Sequence, residues 1–198
     1  MSELSLVLQA GGQSTRMGED KGLMSFGQAS LVEYILEQVA GLGDEILVVS
    51  NQPEAYAFLG LPVYSDVHPG IGALGGLLTA LTYSKSAYSL VLACDMPFIN
   101  RDLVNYMITQ APGQDVVVPV FGRKNFIEPF RGLYSKVCLP AIEQAVFAGK
   151  RRAIAFHDDV RVRIISQEEV RRFDPEGQTF INVNTPEEYQ RALELLKN

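Results

Sequence analysis

Leu8-Gln9-Ala10-Gly11-Gly12-Gln13-Ser14-Thr15-Arg16-Met17-Gly18-Glu19-Asp20-Lys21 is the stretch from which the fold of this chain can be read. An apolar run from Leu4 to Leu8 leads into it, and a helical pattern beginning at Ser30 follows it. Between them stand three glycines, two small hydroxyl residues, an arginine and a lysine. Glycine tolerates positive φ and lets a ligand come close to the main chain. Successive exposed N–H groups in such a turn form a concavity that favours anions. Arg16 and Lys21 add two positive charges, so the stretch reads as a phosphate-holding loop. It is not a Rossmann fingerprint, which needs glycine at Gln13, nor a Walker loop, because Lys21-Gly22-Leu23 stands where Gly-Lys-Ser/Thr is required. A dehydrogenase and a P-loop kinase are therefore disfavoured.

Outward from the loop, strand and helix patterns alternate. Leu4–Leu8, Glu45–Val49, Leu61–Tyr64, Tyr88–Cys94, Asp115–Val120, Arg131–Tyr134 and Val162–Ile165 read as strands. Ser30 with Glu33 forms a capping-box signature for a helix through Ala40, which Gly41 and Gly43 close. Pro53 can start a short helix, and Pro69 to Gly76 is a second glycine-rich turn running into a helix that ends near Tyr83. Asn100 caps the next helix, and another spans Val137 to Phe147. Thr185-Pro186-Glu187-Glu188 opens the last helix with an N-cap threonine, a proline at the first position and glutamate at the third. Near-continuous apolar strands alternating with helices indicate a sheet covered on both faces. The expected class is α/β: a three-layer α/β/α sandwich with a mostly parallel, Rossmann-like sheet, built as one domain over residues 1–198.

Polar residues stand just past several strand ends: Ser50-Asn51, Ser65-Asp66 and Cys94-Asp95. In open parallel sheets ligands bind along the carboxyl edge of the strands, which is also where the glycine loop lies. Alone, Asn51 or Asp66 is an ordinary turn former; together with the loop they suggest a binding crest. Asp95 stands between a buried strand and Pro97, and a lone carboxylate beside phosphates suits Mg²⁺. His68 and His157 have no companion at metal-ligand spacing and read as solvated or turn residues. Arg171-Arg172 reads as a solvated helix face.

The chain of 198 residues has 17 basic and 23 acidic side chains and a net charge of −6, which argues against bulk nucleic-acid binding but not against a small polyanionic substrate. Cys94 and Cys138 are too few for a disulfide framework and suggest free thiols in a reducing compartment. The start Met1-Ser2-Glu3 has no basic leader, and no apolar segment is long enough to cross a bilayer, so a soluble cytoplasmic protein is expected.

Four blocks carry a family resemblance. Ala10 to Lys21 resembles the A-G-G-x-S-x-R-M-G-x-D-K signature of the molybdenum cofactor guanylyltransferase (MobA) family. Cys94-Asp95-Met96-Pro97-Phe98 is similar to its C-D-x-P-[FY] metal motif, and Glu128-Pro129-Phe130-Arg131-Gly132-Leu133-Tyr134 to its [QE]-P-L-x-A-L-Y segment. Phe180 to Glu188 resembles its C-terminal F-x-N-[IV]-N-T-P-E-[ED] block. The resemblance implies transfer of GMP from GTP to the terminal phosphate of molybdopterin, with Mg²⁺ and release of pyrophosphate. It implies GTP contacts at the backbone of Gln9, Ala10 and Gly11, at Gly12, and at Lys21, Asn51, Asp66 and Asp95. Asp95 is also the implied metal ligand. Pterin-side contacts are implied near Asn182 and Asn184, and near Arg151 and Arg152. Proteins that insert or accept the finished cofactor are implied partners. Arg16 and Lys21 are then the natural phosphate clamps, and no nucleophilic dyad is needed because the attacking oxygen belongs to the substrate. Two departures stand out: Gln9 replaces the usual leucine, and Ala73 stands where proline is common. A cytidylyltransferase, a sugar-1-phosphate nucleotidyltransferase and a non-catalytic cofactor-binding protein are the alternatives.

Overall fold

The computed structural model describes residues 4–10, 20–122 and 126–197; Gly11, Gly12 and Arg16 lie outside them. Its first half contains β1 (Leu4–Gln9), β2 (Ser25–Phe26), β3 (Ala29–Ser30), α1 (Leu31–Val39), β4 (Glu45–Val49), β5 (Val63–Tyr64), α2 (Ala73–Tyr83) and β6 (Tyr88–Ala93). The second half contains α3 (Arg101–Thr109), β7 (Val116–Phe121), β8 (Phe126–Ile127), β9 (Arg131–Ser135), α4 (Leu139–Phe147), β10 (Val162–Ile165), α5 (Gln167–Arg171) and α6 (Pro186–Leu195).

Side chains on a strand alternate between faces, and here both faces are apolar. Leu4, Leu6 and Leu8 of β1, with Leu90 and Leu92 of β6, pack against Leu31, Ile35, Leu103 and Met107 from α1 and α3, with Val170 of α5 and Ala192 of α6 in the same cluster. Val7 and Val91 point the other way, into Leu74, Leu77 and Leu81 of α2 and Ile142 of α4. A helix layer on each side of the sheet follows directly, and the three-layer sandwich is the observed architecture.

Among the described residues the main sheet has the order β10-β7-β9-β6-β1-β4-β5, with β8 on β7, while β2 and β3 form a separate small hairpin. The pairs β1–β4, β1–β6, β4–β5 and β7–β10 are parallel. β9 is antiparallel to both β6 and β7, so the sheet is mixed at that point. The link from β7 to β9 is only residues 122–130, too short for the crossover that a parallel return requires. Two expected bounds shrink: the third strand is only Val63–Tyr64, and the helix after Ser135 begins at Leu139 behind a 3-10 turn at Lys136–Cys138. The capping boxes at Ser30–Glu33 and Thr185–Glu188 are both present.

Register aligns the strand ends. Gln9 lies beside Val49 and Ala93, and Val49 beside Tyr64. Ser50-Asn51, Ser65-Asp66 and Cys94-Asp95 therefore leave the sheet along one edge. Because β9 runs backwards, its first residue, Arg131, opposite Leu92, also lies at that edge.

Candidate active site

Lys21 follows the glycine loop and is held by a compact local device. Asp20 is the N-cap of a single 3-10 turn, Lys21–Leu23, and its Oδ1 accepts from Gly22 N at 3.1 Å. The Tyr56 hydroxyl donates to the same oxygen at 2.6 Å. Burial, then the Asp20 carboxylate, push the Tyr56 phenol far above its usual range, so it remains a donor. A Cβ on Gly22 would come within 2.5 Å of that hydroxyl, so only glycine fits the contact. Tyr56 carries no sequence signal beyond being a large aromatic in the short segment after Pro53.

From this turn the Lys21 ammonium reaches two residues far away in sequence. Nζ donates to Asn184 Oδ1 at 2.5 Å and lies 3.6 Å from Asp95 Oδ2, with the Lys21 side chain only 13% exposed. Asp95 sits just past β6, and its carbonyl accepts from Val183 N at 2.7 Å. Gln38 of α1 holds the following loop by donating to Pro97 O at 2.6 Å and accepting from Ile99 N at 3.0 Å. The lysine of the first motif, the aspartate of the second and the second asparagine of the last block are thus brought together.

The other expected residues divide. Asn51 and Asp66 form a mutual pair: Asn51 Nδ2 donates to Asp66 Oδ2 at 2.8 Å, and Asp66 N donates to Asn51 Oδ1 at 3.0 Å. At Gln9 and Ala10 the sheet has already engaged part of the backbone, since Gln9 O accepts from Cys94 N and Ala10 N donates to Val49 O. The Ala10 N–H is therefore taken up by the sheet. The Gln9 side chain instead turns towards α2, donating to Gly76 O at 2.8 Å, and a Cβ on Gly76 would lie 2.6 Å from Gln9 Oε1. Asn182 donates locally to Phe180 O at 3.4 Å and does not join Lys21. Arg151 and Arg152 are exposed on the rim of a separate cavity of about 530 Å³, lined also by Ile127, Lys150, His157 and Asp158. That segment docks on the start of α2, where Leu74 N donates to Arg151 O at 3.1 Å.

His157 opens the 3-10 turn His157–Asp159, one of the two expected placements, but it is not solvated: its Nε2 is buried without a partner among the described residues, and burial pushes its pKa down to about 4. Cys94 is buried, and burial followed by the Asp95 and Asp20 charges pushes its thiol up to about 12, so it is an inert wall residue. Arg171 and Arg172 lie exposed at the end of α5, as expected.

No group of three or more His, Cys, Asp or Glu side chains suited to a metal ion occurs among the described residues. Asp95 offers a single part-exposed carboxylate. An ion held there must complete its shell with substrate oxygens and water, which is how Mg²⁺ commonly binds. The donor set fits a hard cation shared with phosphates. No helix among the described residues is long and apolar enough to cross a membrane.

Residues 6–162 match the family described as MobA-like NTP transferase domain. A molybdenum cofactor guanylyltransferase of Syntrophotalea carbinolica is 37% identical over 190 residues, covering 94% of this chain and 89% of that protein. A Pelotomaculum thermopropionicum protein named as a probable molybdenum cofactor guanylyltransferase is 36% identical over 198 residues, covering 100% of this chain and 96% of that protein. The crystal structure of molybdopterin-guanine dinucleotide biosynthesis protein A from Archaeoglobus fulgidus superimposes with a TM-score of 0.82 over 98% of each chain, at 24% identity, a likeness of fold. With the family matched over most of its length and relatives this similar along nearly all of it, the chain belongs to the MobA-like NTP transferases, in the group of the molybdenum cofactor guanylyltransferases.

Proposed function

We propose that this nucleotidyltransferase moves GMP from GTP to the terminal phosphate of molybdopterin, in the cytoplasm, with Mg²⁺ held by Asp95. The observation that carries the reading is the convergence of Lys21, Asp95 and Asn184 at the carboxyl edge of the sheet. In the reaction an oxygen of the acceptor phosphate attacks the α-phosphorus of GTP, the bond to the bridging oxygen breaks, and pyrophosphate leaves. Two anions must be brought together, so positioning and fixed positive charge are what a protein can supply. Lys21 offers a point charge already oriented by Asn184. Arg16 would add a forked donor to the same phosphates. Mg²⁺, when bound, neutralises phosphate charge and orients the groups.

Asn51 and Asp66, already paired with each other, present polar edges one and two strands away from the phosphate end, a span suited to a nucleoside. Asn182, Asn184 and the Arg151–Arg152 rim are assigned to the acceptor side, where two guanidinium groups suit a pterin phosphate. Proteins that insert or receive the cofactor belong to the same reading.

The test is pyrophosphate release with molybdopterin and each of GTP, CTP, ATP and dTTP, in Mg²⁺ and in chelator. GTP should support the fastest release, and chelator should stop it. Faster release with CTP would overturn the guanylyl assignment. Asp95→Ala should abolish turnover in a folded protein, and wild-type turnover in that variant would remove the metal role.

A further inference from the structure

Arg131, at the first position of β9, is 3% exposed, the most deeply buried charged residue among those described. Its side chain lies under the crest and contacts two separate segments. Nη2 donates to Met96 O and, at 3.5 Å, to Phe98 O, both in the loop that carries Asp95. Nε donates to Thr179 O at 3.3 Å, at the start of the segment that carries Val183 and Asn184. Nη1 is buried with no partner among the described residues. Burial lowers the guanidinium to about 10 while the Glu128 and Asp95 charges raise it, so it stays charged at neutral pH beneath the crest.

A buried arginine with one donor unmatched is a poor way to gain stability; a well-packed apolar side chain of similar volume often does as well or better. The planar fork, however, can hold several carbonyls in fixed relation, which an apolar side chain cannot. We propose that Arg131 is a positioning residue for nucleotidyl transfer: it clamps the Met96–Phe98 loop to the Thr179–Asn184 segment and so sets Asp95 and Asn184 at their distances from Lys21. The proposal rests on the reading of Asp95 and Lys21 given above. Two further ties, Val183 N to Asp95 O and Gln38 to Pro97 O and Ile99 N, complete the clamp around the same loop.

The test uses full-length Arg131→Met, which keeps volume and removes the fork, and Arg131→Lys, which keeps charge and part of the donor set. Amide hydrogen exchange of the ligand-free proteins is the first readout. In Arg131→Met the Val183 and Ile99 amides should exchange about tenfold faster, while Val7 and Leu90 in the central strands keep wild-type protection, the signature of local opening. In the transfer assay kcat should fall by about 10²-fold, the scale reported for small misplacements of reacting groups, with KM for GTP little changed. Arg131→Lys should recover part of both losses, and it carries the test alone if Arg131→Met does not fold. Unchanged Val183 exchange, or faster exchange spread evenly over the sheet, would overturn the proposal and leave Arg131 a stability residue. An inactive wild-type enzyme would instead sink the functional reading, while the exchange pattern would still decide whether the clamp exists.

Discussion

Removing the Lys21 charge is the most direct perturbation of the crest, and the structure sets its scale. Nζ lies 3.6 Å from Asp95 Oδ2 and 2.5 Å from Asn184 Oδ1, in a side chain 13% exposed. A phosphoryl oxygen meeting that ammonium at similar range, about 4 Å, interacts by about 4 kcal/mol at an effective dielectric of about 20. Part of that attraction is already present with bound substrate, so roughly 3 kcal/mol is assigned to charge that develops as pyrophosphate leaves, in line with losing one preorganised donor. Lys21→Met should therefore lower kcat/KM by about 10²- to 10³-fold. Its effect on stability should be small, because a partly exposed ion pair contributes only about 0–1 kcal/mol. Lys21→Arg should not restore full activity, since a planar fork cannot take the place of a point charge seated between an amide and a carboxylate. The assay is pyrophosphate release under saturating and limiting GTP, with a urea melt alongside. A folded Lys21→Met enzyme within about tenfold of wild type would refute the reasoning that Lys21 carries transition-state charge.

Other consequences can be read from packing and ionisation. Gly132→Ala in β9 places a Cβ 2.7 Å from the Tyr134 ring, 2.8 Å from Val118 and 3.0 Å from Pro129 O, and should cost about 1–3 kcal/mol through overpacking, seen as a lower urea midpoint. Burial raises Glu169, but hydrogen bonds from Tyr106, Ser166 and Arg163 outweigh it and bring its pKa to about 2. Because the folded value lies below the unfolded one near ~4.3, its contribution is full above that value and is lost as pH falls towards 2; Glu169→Gln should flatten the stability profile in that window. His157 behaves in the same sense at higher pH: burial lowers it to about 4, so the unfolded chain takes up a proton first, below ~6.5, and stability falls from there to about 4. His157→Gln should remove that slope in urea melts between those two values, and an unaltered slope would contradict the buried, neutral assignment.

Fold class was legible because most strands are buried on both faces and read as continuous apolar runs, while helix starts carry local chemistry. Ser30 with Glu33 and Thr185 with Glu188 form the capping boxes their spacing suggests. Ser166 with Glu169 is the same signature, but α5 has only five residues and no periodicity to support a helix there. The direction of β9 was not legible from its own residues, since Arg131-Gly132-Leu133-Tyr134 suits either sense. The brevity of residues 122–130 was the usable signal. In the site, Asp95 and the Asn51–Asp66 pair were visible as polar residues past strand ends. Asn184 was suggested by resemblance alone, and its contact with Lys21 spans most of the chain, beyond any local pattern. Arg131 did carry a signal, a charge opening a strand whose next residues are apolar, and Tyr56 carried almost none.

That long-range contact has a physical support at both ends. Shortly after Lys21 the chain makes the β2–β3 hairpin, and shortly after Asn184 it enters α6. These two elements touch: the Tyr189 hydroxyl of α6 donates to Ser25 O, and the rings of Tyr189 and Phe26 meet edge-on at 6.2 Å. Phe26 in turn packs against Tyr34 of α1 at 5.0 Å and Phe98 at 6.2 Å, beside the Asp95 loop. One buried aromatic therefore sits among the supports of all three segments that bring Lys21, Asp95 and Asn184 together. Among the described residues the side-chain contacts that join the crest, Lys21 with Asp95 and with Asn184, are all long-range in sequence. Their spacing is set by apolar packing below them, with Arg131 and Gln38 as the polar ties, so misplacing the crest does not require touching any residue that meets substrate.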